Sequence, residues 1–192
     1  MDQIEGKYLS LSEEVNALDF LEKANDFIKI VDKHPIAWKW IVISLHGALY
    51  SFAICACKGT NPDNVTTKKG NKLISIQKAL ERCQNPKTMK MLIHSKHLIL
   101  TQQQEESIKI LVNILRNNFE HYKPKLWSIE LHGMPRIAMD VLDVIHFLAL
   151  ETNTYVDLDE SQIRQVETLI SESKHILEQS LLYSELQYLK NK

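Results

Sequence analysis

The sequence predicts an all-α fold, an up-and-down helical bundle of about five to six helices. Apolar residues recur at helical spacing, helix start and stop signals punctuate the whole chain, and no run shows the two-residue alternation of a half-buried strand. Short connections favour antiparallel neighbours. No repeat period or linker divides the 192 residues, so residues 1–192 read as one domain, long enough to bury a core without disulfides or a structural metal.

Ser10 and Glu13 have capping-box spacing and predict a helix through Leu18, Leu21, Phe27 and Val31, ending near His34. Pro35 suits the first turn of a second helix that stops at Gly59. From Trp40 to Cys57 that helix carries no charged side chain, a length that just reaches the lower limit for a membrane span. It contains Ser44, His46, Gly47 and Ser51, and no second such run accompanies it. The expectation is therefore a helix surrounded on all sides at the centre of the bundle, and no membrane. Residues 59–65 read as a loop. A shorter helix is expected through Leu73, Ile76 and Leu80, stopping before Pro86, with partial helix in the ambiguous stretch from Thr88 to Leu100. Thr101 and Gln104 open a helix that should run to Tyr122, ahead of Pro124. Lys125 to Gly133 reads as a loop, and Pro135 begins a helix through Val141, Val144 and Leu148. Asp159 with Gln162 caps one long final helix.

An apolar content of 44%, a charged content of 24% and a net charge of −1 describe an ordinary globular protein and exclude disorder. A chain that gripped long nucleic acids nonspecifically would be basic, so any nucleic acid should be met at a small local site. Three cysteines, Cys55, Cys57 and Cys83, make no disulfide framework and suggest a reducing cytoplasm. The first residues lack the basic start and apolar run of a signal peptide, so a cytoplasmic location is expected. His94 and His97 with Cys83 lack a fourth ligand and clear metal spacing, so no metal and no cofactor are expected. Cys55 and Cys57 point in different directions on one helix and read as core filler. His46 and Tyr50, four apart, read as a buried hydrogen-bonding face.

The segment richest in chemistry lies near the end of the helix opened by Thr101. At about 100° per residue, Ile108, Leu111, Ile114, Leu115, Phe119 and Tyr122 fall on one arc that should face the core. With Arg116 at zero, Glu120 lies near about 40°, Asn117 near about 100° and His121 near about 140°. These four form a polar strip, and Ile110 within its sector suggests that something covers this face. Attack of a ribose 2′-hydroxyl on the adjacent phosphate needs a proton acceptor, a proton donor and positive charge on the phosphorane. Histidine titrates near neutrality and serves in either proton role. Arginine stays charged and matches phosphate oxygens in a bidentate fork. One strip supplies one of each, so two copies across a two-fold axis give a more complete site. An Arg followed at once by Asn, Asp or His, and then by His after four to six residues, is expected about 0.07 times in a random chain of this composition. It occurs here once.

Arg116-Asn117-Asn118-Phe119-Glu120-His121 resembles the signature of the HEPN superfamily, an Arg and a polar residue followed by a His after four intervening positions, within a helical bundle. The resemblance implies a HEPN-like bundle in which Arg116 and His121 are the catalytic pair and Asn117 the favoured polar residue, orienting His121. It implies a homodimer with both motifs in one cleft, acting as a metal-independent endoribonuclease. Such proteins serve as toxins, abortive-infection proteins or phage-defence effectors, sometimes silenced by a cognate antitoxin. In the HEPN toxins silenced by nucleotidyltransferases, a Tyr stands two residues after the His; here that position is Lys123, and Tyr122 comes one residue early. The chain is therefore more similar to a free-standing toxin or defence subfamily.

Beside the motif, Lys123 and Lys125 are candidates for flanking RNA phosphates, and Trp127 for stacking an unpaired base. The competing reading of Trp127 is an anchor that ties its loop to the core. Glu130 and His132 follow in the same loop with no placement implied. The competing class for the whole chain is a noncatalytic helical interaction or dimerisation module, or an antitoxin-like partner binder, whose Arg116 and Glu120 are only an i, i+4 pair on a solvated face.

Overall fold

A computed structural model describes residues 9–67, 72–121 and 126–190, with the backbone alone for 186–190. The described residues are all-helical apart from one isolated antiparallel bridge between Thr66 and Leu73. Helices α1 (Glu13–Ile30) and α2 (Ala37–Lys58) are followed by a 3₁₀ turn, Pro62–Val65, then α3 (Ile76–Gln84) and the single turn α4 (Pro86–Met89). Helix α5 (Gln102–Lys109) runs directly into a π-helix, Ile110–Arg116, and a last α turn, α6 (Asn117–Glu120). Helix α7 (Met134–His146) continues as a π-helix, Phe147–Glu151, before α8 (Glu160–Glu178) and α9 (Leu181–Lys190).

The absence of charge along α2 has a packing cause. Helices α1, α3, α4 and α7 and both π-helices lie against it, and Leu45, Ala48, Leu49, Phe52, Ala53 and Ala56 are wholly buried. This helix is long and apolar enough to cross a membrane, yet 67% of its most apolar window is buried inside the molecule. Its Ala, Ser and Gly positions let neighbours approach closely. At Gly47 a Cβ atom would stand 2.5 Å from Cδ1 of Phe20, so the α1–α2 crossing requires a residue without a side chain. Gly59 ends α2 at φ 61°, where glycine is favoured because a Cβ would be strained.

Two buried polar contacts fix the outer helices. Asn25 of α1 donates to Ser173 Oγ (2.9 Å) and to the Leu169 carbonyl (3.3 Å) of α8. Asp140 of α7 accepts from Gln103 (2.7 Å) and Ser107 of α5. The Asn25 amide nitrogen and the Asp140 carboxylate thus enter the core with partners, whereas Asn25 Oδ1 is buried with none among the described residues.

Several expected boundaries are corrected. Helix α1 starts under Ser12, whose hydroxyl accepts from the Val15 amide, rather than under Ser10. Leu73 pairs in the bridge and is half exposed, because α3 begins only after its cap, Ser75. Of the stretch from Thr88 to Leu100, only Thr88 and Met89 are helical; its backbone instead bonds across to other segments, as Lys96 to Thr152 and Leu98 to Cys83. The long final helix breaks at Gln179 and Ser180, where the Ser180 hydroxyl donates to the Leu177 carbonyl and accepts from the Tyr183 amide. A side chain that ends one helix and opens the next competes with continuous backbone bonding. The capping boxes at Thr101 and Asp159 are both present.

Candidate functional site

The helix that carries the motif is not uniform, and this changes which side chains it presents. In the π segment Ile110–Arg116 the backbone bonds from i to i+5, so each residue turns through a smaller angle than in an α-helix. Val112, which a uniform α-helix would set about 40° from Arg116 on the side of the core arc, beside Phe119, is buried. Ile114, expected on the core arc, is 49% exposed. Ile108, Leu111 and Leu115 face the core as expected, and Phe119 is partly buried against it. Tyr122 lies outside the described residues. Ile110 is partly buried and lines a groove with Ser107, Gly133 and Ile137.

Arg116, at the last position of the π segment, is held on two sides. Its Nη2 lies 2.6 Å from Glu120 Oε2, and its Nη1 donates to Asn117 Oδ1 at 3.1 Å. The Nε is buried and has no partner among the described residues. Asn117 donates its own amide to the Asn113 carbonyl (3.2 Å), and its backbone carbonyl accepts from the His121 amide (2.9 Å). The Asn117 side chain thus orients Arg116, while its tie to His121 runs through the backbone. His121 caps the helix at φ −110°, ψ 55° and is exposed.

Of the proposed RNA contacts, Lys123 and Lys125 lie outside the described residues. Trp127 is partly buried, with its ring meeting Phe119 edge-on at 5.1 Å. That contact ties the loop to the helix. Its neighbour His132 sits between Glu130 and Glu185 of α9, and these carboxylates raise its pKa. His132 and Glu130 therefore link the loop to the C-terminal helix.

Two cavities flank Arg116, and both share His46 and Tyr50 of α2. One, about 290 Å³, opens toward α1 and includes Phe20 and Glu120; the other, about 220 Å³, opens toward α3 and includes Asn113 and Asn117. Tyr50 donates to the Ile74 carbonyl, and its ring lies 6.4 Å from that of His46. Burial first, and then the Arg116 charge, push the His46 pKa down to about 4 against an opposing pull from Glu120. Its imidazole is consequently neutral at pH 7, with one ring nitrogen able to donate and one to accept. The expected buried face of His46 and Tyr50 thus borders the motif. The only sequence signal for this was a polar pair within an uncharged helix, and its neighbours depend on how α2 packs against the π segment.

The three cysteines are free and buried. Cys83 donates to the Ala53 carbonyl at 3.4 Å. Among the described residues no three His, Cys, Asp or Glu side chains are grouped so as to hold a metal ion. Comparison with known proteins found no matching family model, no matching curated protein and no matching solved structure.

Proposed function

We propose that the chain is a HEPN-type endoribonuclease, folded as a HEPN-like bundle, that cleaves RNA without a metal at a site formed across a homodimer. The observation that carries this reading is that one helix end presents a guanidinium bordering two cavities and, five residues on, an exposed imidazole. In the reaction the ribose 2′-oxygen attacks the adjacent phosphorus and the bond from phosphorus to the 5′-oxygen breaks. One His121 takes the 2′-proton, and its symmetry mate supplies a proton to the departing 5′-oxygen. The products are a 2′,3′-cyclic phosphate and a free 5′-hydroxyl. Arg116 neutralises charge that builds on the phosphorane, the kind of stabilisation that contributes most when donors are already aligned. Asn117 keeps the guanidinium in place. Cytoplasmic RNA is the substrate, and the biological role is that of a toxin or phage-defence effector, with a cognate antitoxin as its regulator.

Purified protein incubated with RNA in EDTA should cut it, and His121→Ala and Arg116→Ala should each lower the rate by at least about 100-fold, the usual scale for a lost acid–base or oxyanion group. Intact RNA, or a His121→Ala variant as active as the parent, rejects the reading.

One observation favours a noncatalytic interaction module instead: Arg116 is already paired with Glu120, so its charge is partly satisfied before any phosphate arrives. The exposed Leu92, Ile93 and Ile99 give such a module apolar surface for a partner. Expression separates the two. Growth arrest that disappears with either Arg116→Ala or His121→Ala marks the enzyme, whereas harmless expression with a recovered stoichiometric partner marks the module.

A further inference from the structure

The larger cavity beside Arg116 has features that proton transfer and phosphate neutralisation leave unused. At about 290 Å³ it falls near the lower end of small-molecule sites, room for one flat ring rather than a chain of nucleotides. Its walls include the rings of Phe20, His46 and Tyr50. Aromatic faces of this kind stack unpaired bases. Gly47 also lines it, and any Cβ there would drive into the Phe20 ring, so this wall depends on a glycine.

Its polar lining is equally specific. Glu13 and Glu120 bring two carboxylates, but Lys58 lies 3.3 Å from the first and Arg116 2.6 Å from the second. Asn16 and Ser51 are hydrogen-bonded to each other. His46 adds an imidazole that burial and the Arg116 charge keep neutral. Arg116 at the border retains a buried Nε with no partner among the described residues. A stacking slot, a neutral hydrogen-bonding ring and an adjacent guanidinium match, in order, the face of a base, its polar edge and its phosphate.

We propose that this cavity is a nucleotide subsite, which takes the base of the nucleotide whose phosphate meets Arg116 and reads that base through the His46 imidazole. The inference rests on the ribonuclease reading for its choice of RNA as the source of the nucleotide. It assigns part of any base preference to α2, a helix that carries none of the motif.

The four nucleoside 3′-monophosphates, titrated into the full chain by calorimetry and by NMR of the His46 ring protons, test it. At least one should bind and move the His46 resonance, with affinity that differs between bases by about tenfold or more, whereas inorganic phosphate should leave that resonance in place. His46→Leu, which keeps the apolar packing, should weaken the preferred nucleotide by at least about tenfold. Binding with no shift at His46, or equal binding by His46→Leu, overturns the subsite. Should the variant fail to fold, the His46 resonance of the parent decides alone. RNA cleavage without nucleotide at His46 overturns the subsite and leaves the ribonuclease reading standing. Nucleotide at His46 in a protein that leaves RNA intact does the reverse.

Discussion

Arg116 can serve a phosphate only if Glu120 yields it. The pair is close, 2.6 Å, yet both side chains are about a third exposed, so it contributes no more than about 1 kcal/mol to folding. Its larger effect is on binding, because the carboxylate occupies the donor a phosphate needs and repels the incoming charge. Glu120→Gln, made with His121→Ala to prevent cleavage, should raise RNA affinity by about three- to tenfold at 0.1 M salt, with a nearly unchanged melting temperature. A fall in affinity would show that Glu120 aims the guanidinium rather than blocking it. His46 yields a second expectation, with a definite sign. Its folded pKa of about 4 lies below the usual value near about 6.5, so between these values the unfolded chain binds a proton that the folded one does not. Its contribution to stability is complete above pH of about 6.5 and is lost as pH falls through about 4. Urea unfolding at pH 7.5 and pH 5 should show the parent losing about 1–2 kcal/mol more than His46→Leu, after allowance for the ring's partial exposure. Arg116 and His121 were singled out from the string alone, and the structure places them at one helix end. The surroundings of Arg116 were legible only in part: Glu120 follows from i, i+4 spacing, whereas His46, which lines the same cavities, is seventy positions distant and no local pattern reports it.

Elements were most legible where a side chain meets a backbone group nearby. The capping boxes at Thr101 and Asp159 and the glycine that ends α2 are local hydrogen-bonding and steric rules, and all three hold. The π segment was not legible, since local propensity does not separate an α turn from a π turn, and the segment's packing against α2 is not readable from neighbouring residues. Across the segment Val112 is buried and Ile114, at the edge of the expected arc, is half exposed, and Arg116 sits at the end of the irregular turn. The α1–α2 crossing is the element-level feature most open to test. Gly47→Ala gains helix propensity of up to about 1 kcal/mol, but its Cβ meets Cδ1 of Phe20 at 2.5 Å, and overpacking of this kind costs about 1–3 kcal/mol. The clash should win. Denaturant unfolding should show a net loss of about 1–2 kcal/mol, and since Phe20 is also a wall of the cavity, nucleotide binding should weaken more than that of inorganic phosphate. A variant as stable as the parent would mean that the two helices are not held this close.

At the scale of the molecule, the all-α class followed from periodicity, because a helix buries one face and its pattern states which. How many copies assemble does not follow from that pattern, and it is the assembly on which the proposed chemistry depends. A single chain of 22.3 kDa offers one exposed motif imidazole, whereas the proposed reaction moves two protons, one from the 2′-oxygen and one to the 5′-oxygen. Two chains related by a two-fold axis present the same patch to each other, and so offer two Arg116 and two His121 side chains in one cleft. Mixing variants tests this directly. Homodimers of Arg116→Ala contain no motif guanidinium and homodimers of His121→Ala contain no motif imidazole, so each alone should be nearly inactive. If the two are unfolded together and refolded, half of the dimers formed should be hybrids that keep one arginine from one subunit and one histidine from the other. A shared cleft then regains part of the cleavage, with the remaining His121 serving one proton transfer and water the other, and sedimentation should report about twice the mass of the chain. If each motif acts within its own subunit, every chain in the mixture lacks one essential group and activity stays at the level of the separate variants. Recovery therefore requires the two subunits to complete one site.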